Sequence, residues 1–270
     1  MVHKLSHASP ICDGATDKWL ICESLAELAQ SAQGHGSCFG SGSEEAKKAQ
    51  TGELSRVADA DAYLAKLESL SVLSAKRSWQ DNVTGSVPNV GAYLAGSPTA
   101  MRFRRSSREE SAPLGIVFDG TTSGGISDSD MTKRGVVVLA LVRMLAMRRP
   151  VELWLAAGLG GSNSQGSWVA TRLETAPLDL ARACYALSNP KATRVLGYSA
   201  IYGAHTGSDG CWPYNGSALT ADKFHAVASR AFPHLTDILA IPGILNSDAL
   251  LKNPEAWLRA QVAKYCEGEE

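Results

Sequence analysis

The sequence predicts an α/β protein whose open, mainly parallel sheet carries helices on both faces, preceded by a mostly helical extension. Three observations carry that expectation. Residues 114–118 (LGIVF) form a continuous apolar run that stops at Asp119, the pattern of a strand buried on both faces. Residues 128–130 (DSD) open an apolar helix over 131–147, which Pro150 stops. Residues 151–157 (VELWLAA) are a second buried run, and a strand, helix, strand unit of this kind joins parallel strands.

The other elements follow from spacing and punctuation. Residues 23–32 place Leu25, Leu28 and Ala29 on one helical face, residues 34–43 (GHGSCFGSGS) read as a loop, and Ser43 followed by Glu44 and Glu45 starts a second helix. Val57, Tyr63, Leu64, Leu67 and Leu70 continue at helical spacing. Pro88, Gly91, Gly96 and Pro98 punctuate residues 79–108, which read as a connecting segment. The polar stretch 106–113 (SSREESAP) places a boundary between a helical and loop-rich extension, 1–110, and an α/β domain, 111–270. Within that domain, residues 168–173 read as a strand, 178–187 and 220–231 as helices, 237–241 as a last strand, and Pro254 starts a terminal helix.

Composition narrows the function classes. The chain is 44% hydrophobic and 20% charged, which predicts a compact fold. With 26 basic and 27 acidic side chains its formal charge is −1, so no overall field favours phosphate backbones or anionic lipid. Arg102, Arg104, Arg105 and Arg108 are a local basic cluster, and they keep a nucleic-acid partner as an alternative. Six cysteines without a CxxC pair argue against a zinc ribbon or a dithiol redox motif and predict reduced thiols. No stretch has the length and apolarity of a signal peptide or a membrane span, which predicts a cytoplasmic protein without a membrane partner.

In open α/β sheets ligands bind beyond the carboxyl ends of the strands, where the loop after Asp119 belongs. Three readings of residues 119–123 (DGTTS) stay open. Asp119, Thr121 and Ser123 alternate, so a looped backbone can turn three oxygens toward one hard cation, Mg²⁺ or Mn²⁺. A Gly-rich turn that opens a helix also suits phosphate, which makes a nucleotide- or phosphate-binding enzyme the second reading. In the third, Asp119 and its neighbours only satisfy the backbone of the turn. A phosphatase of the haloacid dehalogenase type is excluded, because Val117 stands where its nucleophilic aspartate is needed.

The D-x-T-x-S pattern, with the strand, loop, helix and strand over 114–157, resembles von Willebrand factor A domains and, more broadly, Rossmann-like folds. That resemblance implies a metal-ion-dependent adhesion site at the end of the first strand and a non-enzymatic protein-interaction module. It also implies a protein partner, often a ring ATPase of the AAA class, and a distant Thr and a later Asp that complete the site. Thr175 or Thr206 and Asp209 or Asp237 are the candidates for those ligands. The DGTTS segment also resembles the first phosphate loop of sugar kinases of the actin-like ATPase class, one residue short. Residues 87–101, VP-x-V-x-x-Y-L-x-G-x-P-x-x-M, are similar to bacteriophage proteins, which implies host cytoplasm as the location. Gly160, Ser162 and Asn163 in the loop 158–166, with His205 and Trp212 in the turn-rich stretch 202–214, are candidates for a binding rim.

Overall fold

The computed structural model describes residues 3–10, 16–35, 42–53, 77–85, 87–106, 112–122, 125–146, 148–160, 166–204, 219–244 and 248–266, with a few isolated positions between 55 and 65. Its strands are β1 (His3–Pro10), β2 (Thr16–Cys22), β3 (Arg77–Asn82), β4 (Val87–Pro88), β5 (Met101–Ser106), β6 (Leu114–Asp119), β7 (Val151–Gly160), β8 (Gly166–Leu173) and β9 (Asp237–Ile241). Its helices are α1 (Leu25–Ser31), α2 (Gly42–Thr51), α3 (Val90–Leu94), α4 (Asp128–Ala146), α5 (Leu180–Ser188), α6 (Tyr198–Ala204), α7 (Ala221–Ala231), α8 (Ala249–Lys252) and α9 (Pro254–Cys266). A π-helical stretch, Ala192–Gly197, leads into α6.

Six strands form the main sheet in the order β1-β2-β8-β7-β6-β9. β6 pairs parallel with both β7 and β9, and β2 pairs parallel with β8, while β1–β2 and β7–β8 are antiparallel. The sheet is therefore open and mainly parallel, as the apolar runs predict. The antiparallel β7–β8 ladder has a further consequence. It divides the parallel strands into two blocks of opposite direction, so carboxyl ends lie on both edges of the sheet: Asp119 and Ile241 on one, Cys22 and Leu173 on the other.

Side chains alternate between two cores, as pleating requires. Leu114, Ile116 and Phe118 of β6 and Leu153 and Leu155 of β7 bury one face under α1, α4, α5 and α6. Val117, Trp154, Trp168 and Trp19 bury the other against Phe224 and Val227 of α7. Trp19 and Trp168 stack at 5.1 Å and Phe232 sits 4.6 Å from Trp154, an aromatic layer worth roughly 1 kcal/mol per pair beyond burial. Helix α4 is apolar nearly all round, with every residue from Val136 to Val142 buried. A helix of that kind must be covered on every side. The sheet, α5 and α9 cover it.

The N-terminal stretch carries helices α1 and α2 as expected; they pack into the core of the main sheet, which β1 and β2 extend. The domain division at residue 110 therefore cuts through one core. Residues 77–106 are not a plain connection, because β3, β5 and β4 form a second, three-stranded antiparallel sheet. The loop 158–166 is shorter than its glycines suggest, since β7 and β8 run on to Gly160 and Gly166 as a hairpin. Among the described residues no helix is long and apolar enough to cross a membrane.

Candidate functional site

Asp119 ends the interior strand β6, where the apolar run gives way to the loop, and it is 4% exposed. Both carboxylate oxygens are engaged by backbone donors: Thr121 N–H donates to Oδ1 (2.9 Å) and Gly243 N–H to Oδ2 (3.1 Å). Only glycine allows that second contact. A Cβ at position 243 would lie 2.8 Å from Asp119 Oδ2 and 2.5 Å from the Thr121 carbonyl oxygen. Burial raises the Asp119 carboxyl to about 6, and the Thr121 contacts, the Arg134 charge and the Gly243 bond offset only part of that effect.

Strand β7 and the segment after β9 are stitched to the loop that follows Asp119. Gly158 N–H of β7 donates to Thr121 Oγ1 (3.0 Å), and Ile244 N–H, past the end of β9, donates to the Thr121 carbonyl (3.2 Å). Arg134 of α4, 1% exposed, closes the arrangement. It donates to the carbonyl oxygens of Asp119 (2.9 Å) and Pro242 and to Asp248 Oδ2 (2.8 Å), and its guanidinium lies 4.5 Å from the centre of the Phe118 ring. Burial lowers the Arg134 pKa, opposed first by the charge of Asp248. Arg194 of the π-helical stretch donates to Thr122 Oγ1 (3.1 Å). The Tyr198 hydroxyl, also raised by burial, feels the Asp119 charge and bonds Thr121.

Asp119 and Thr121 thus come together as their spacing predicts, with Gly160 at the end of the neighbouring strand. The proposed distal ligands in the described part of the chain do not join them. Thr175 donates to the Val151 carbonyl (2.6 Å), at the start of β7, and Asp237 starts β9 and pairs with Arg149 (2.7 Å). In register, Asp237 and Val151 flank Leu114, five residues down β6 from Asp119 and about 17 Å away along the strand. Both residues sit on the opposite edge of the sheet. Ser123, Ser162, Asn163, His205, Thr206, Asp209 and Trp212 lie outside the described residues.

The donor set fits a cation poorly. One carboxylate and one hydroxyl face each other, each already accepting N–H bonds, with a guanidinium behind them, whereas Mg²⁺ asks for several unclaimed oxygens. Among the described residues no group of three or more His, Cys, Asp or Glu could hold a metal ion. What the arrangement does chemically is fix the segments after β6 and β9 to each other and to strand β7. Sequence reasoning missed Arg134, Arg194, Tyr198 and Asp248. For Arg134 a signal existed, because it directly adjoins the apolar run GVVVLALV, where a buried cation needs partners of its own.

A second surface that asks for a partner lies on the small sheet and the short helix α3 beside it. Val83, Val87, Val90, Tyr93 and Leu94 are the exposed large hydrophobics among the described residues, and they fall within twelve consecutive positions. Helix α3 buries none of its residues, and β3, β4 and β5 pack mainly on one another. A family model described as a domain of unknown function, DUF7192, matches residues 14–225, a span that crosses residue 110. No curated protein matches the chain, and no solved structure does.

Proposed function

The chain belongs to the DUF7192 domain family, and we propose that it is a non-enzymatic protein-binding module that docks a partner through the apolar patch of its small sheet. The observation that carries this reading is the exposure of Val83 (65%), Val90 (62%), Tyr93 (72%) and Leu94 (79%) side by side in the sequence. Exposed apolar residues gathered in one place, rather than scattered singly, mark interaction surfaces, and Tyr is enriched in interface cores. Arg102 of β5, which a nucleic-acid reading needs free, is tied to Asp81 at 2.8 Å. That favours an apolar partner over a phosphate backbone. The Asp119 loop then serves as the rigid frame of the domain, not as its contact surface. The partner class to try first is the AAA-type ring ATPase implied by the resemblance of the loop.

Affinity capture from the native host tests the proposal, using wild type and the double variant Tyr93→Asp/Leu94→Asp. A protein retained by wild type and lost from the variant, with unchanged circular dichroism and melting temperature, supports it. Equal recovery by both proteins contradicts it.

A further inference from the structure

The second carboxyl edge of the sheet, opposite Asp119, holds a cavity of ≈ 100 Å³ beyond the ends of the parallel pair β2 and β8. Its floor is apolar, made by Leu25, Ala49, Leu173 and Ala183, all at most 5% exposed. Its rim carries both signs of charge: Glu23, Arg172, Glu174, Asp179 and Arg182. Two of these groups are left with capacity for a ligand. Arg182 donates through Nε to the Gln50 carbonyl (2.9 Å) and pairs through the same nitrogen with Asp179 Oδ2 (3.3 Å), which fixes the plane of the guanidinium while no hydrogen bond from a described residue claims its two terminal nitrogens. Glu174 is exposed and pairs with nothing among the described residues. The remaining charges are engaged, Arg172 with Glu23 (3.5 Å) and Glu152 (3.7 Å), and the Asp179 carboxylate as cap of α5 (3.1 Å to Arg182 N).

A held guanidinium presents paired donors that match a carboxylate, and an unpaired carboxylate on the same rim matches an ammonium. An apolar floor between them takes a small hydrocarbon group. The geometry points to a binding site for a free α-amino acid with an apolar side chain, its carboxylate on Arg182, its ammonium on Glu174, and its side chain over Leu173, Ala49 and Ala183. The site is independent of the partner surface proposed above. It lies at the carboxyl ends of parallel strands, where α/β sheets bind ligands.

Calorimetric titration with L-valine and L-leucine tests the site, with valinamide and N-acetylvaline as probes lacking one charge each. Binding of valine or leucine is expected, at least tenfold weaker for valinamide and N-acetylvaline. Binding should weaken by a similar factor in Arg182→Gln and in Glu174→Gln. Ala26 lines the cavity but is exposed, so Ala26→Phe blocks the mouth without disturbing the core and should abolish binding. Absence of heat with both amino acids overturns the proposal. So does binding that valinamide and N-acetylvaline reproduce at full strength, or that survives unchanged in Ala26→Phe and Glu174→Gln.

Discussion

At the scale of single residues, Asp119 is held by two backbone N–H donors inside a dry environment, and the two influences oppose each other. Burial wins and raises the carboxyl to about 6, above the ordinary aspartate value near 3.9 that the unfolded chain keeps. The folded state therefore binds the proton more tightly than the unfolded state. The stabilisation is complete below the unfolded value and is lost as pH rises through about 6. Between about pH 4.5 and 7, wild type is expected to lose roughly 2 kcal/mol relative to Asp119→Asn in urea unfolding. Parallel curves for the two proteins would show that Asp119 has an ordinary carboxyl. The same residue decides the cation question: titration with Mg²⁺ or Mn²⁺ should give no binding heat in wild type. A heat present in wild type and missing from Asp119→Asn would restore the metal reading. Arg134 carries a second prediction. Arg134→Met removes three hydrogen bonds at a buried site and strands Asp248, and a loss of roughly 3 kcal/mol is expected from chemical denaturation. A loss under about 1 kcal/mol would mean that the loops hold without it.

Elements differ in how plainly the sequence announces them. β6, α4, β7 and β9 were legible because strands buried on both faces and a helix covered all round must be apolar throughout. The polar strands were not. β3 (RSWQDN) and β5 (MRFRRS) lack an apolar run, and their pairing with each other, not their composition, makes them strands. β1 (HKLSHASP) is an edge strand and is equally silent. The Asp119–Thr121 pair was readable from its spacing, whereas Thr175 and Asp237 misled because sequence distance does not reveal on which edge of a sheet a residue falls. The close packing of α4 on α5 offers a test at this scale. A Cβ at Gly135 would stand 2.2 Å from the Leu187 carbonyl oxygen, a backbone atom that cannot step aside. Gly135→Val should therefore lower the melting temperature by several degrees or prevent folding. An unchanged melting temperature would show that the two helices are farther apart.

For the whole molecule, the N-terminal strands and the α/β unit share one core, with Trp19 of β2 stacked on Trp168 of β8. A fragment spanning 111–270 leaves β8 as a bare edge and uncovers Trp168, so it should aggregate or melt without cooperativity. A sharp, reversible transition of that fragment would show a self-sufficient domain. The small sheet with α3 stands apart in character: Val83, Val87, Val90, Tyr93 and Leu94 are exposed, and none of them belongs to the main core among the described residues. That contrast is the basis for placing partner binding there. Site-specific photocrosslinking in the native host measures it most directly, with a benzophenone side chain at Leu94 and a control at Lys223, an exposed position of α7. A discrete adduct at position 94 and none at 223 is the expected result. Adducts in equal yield at both positions, or none at 94, would contradict a docking surface on the small sheet.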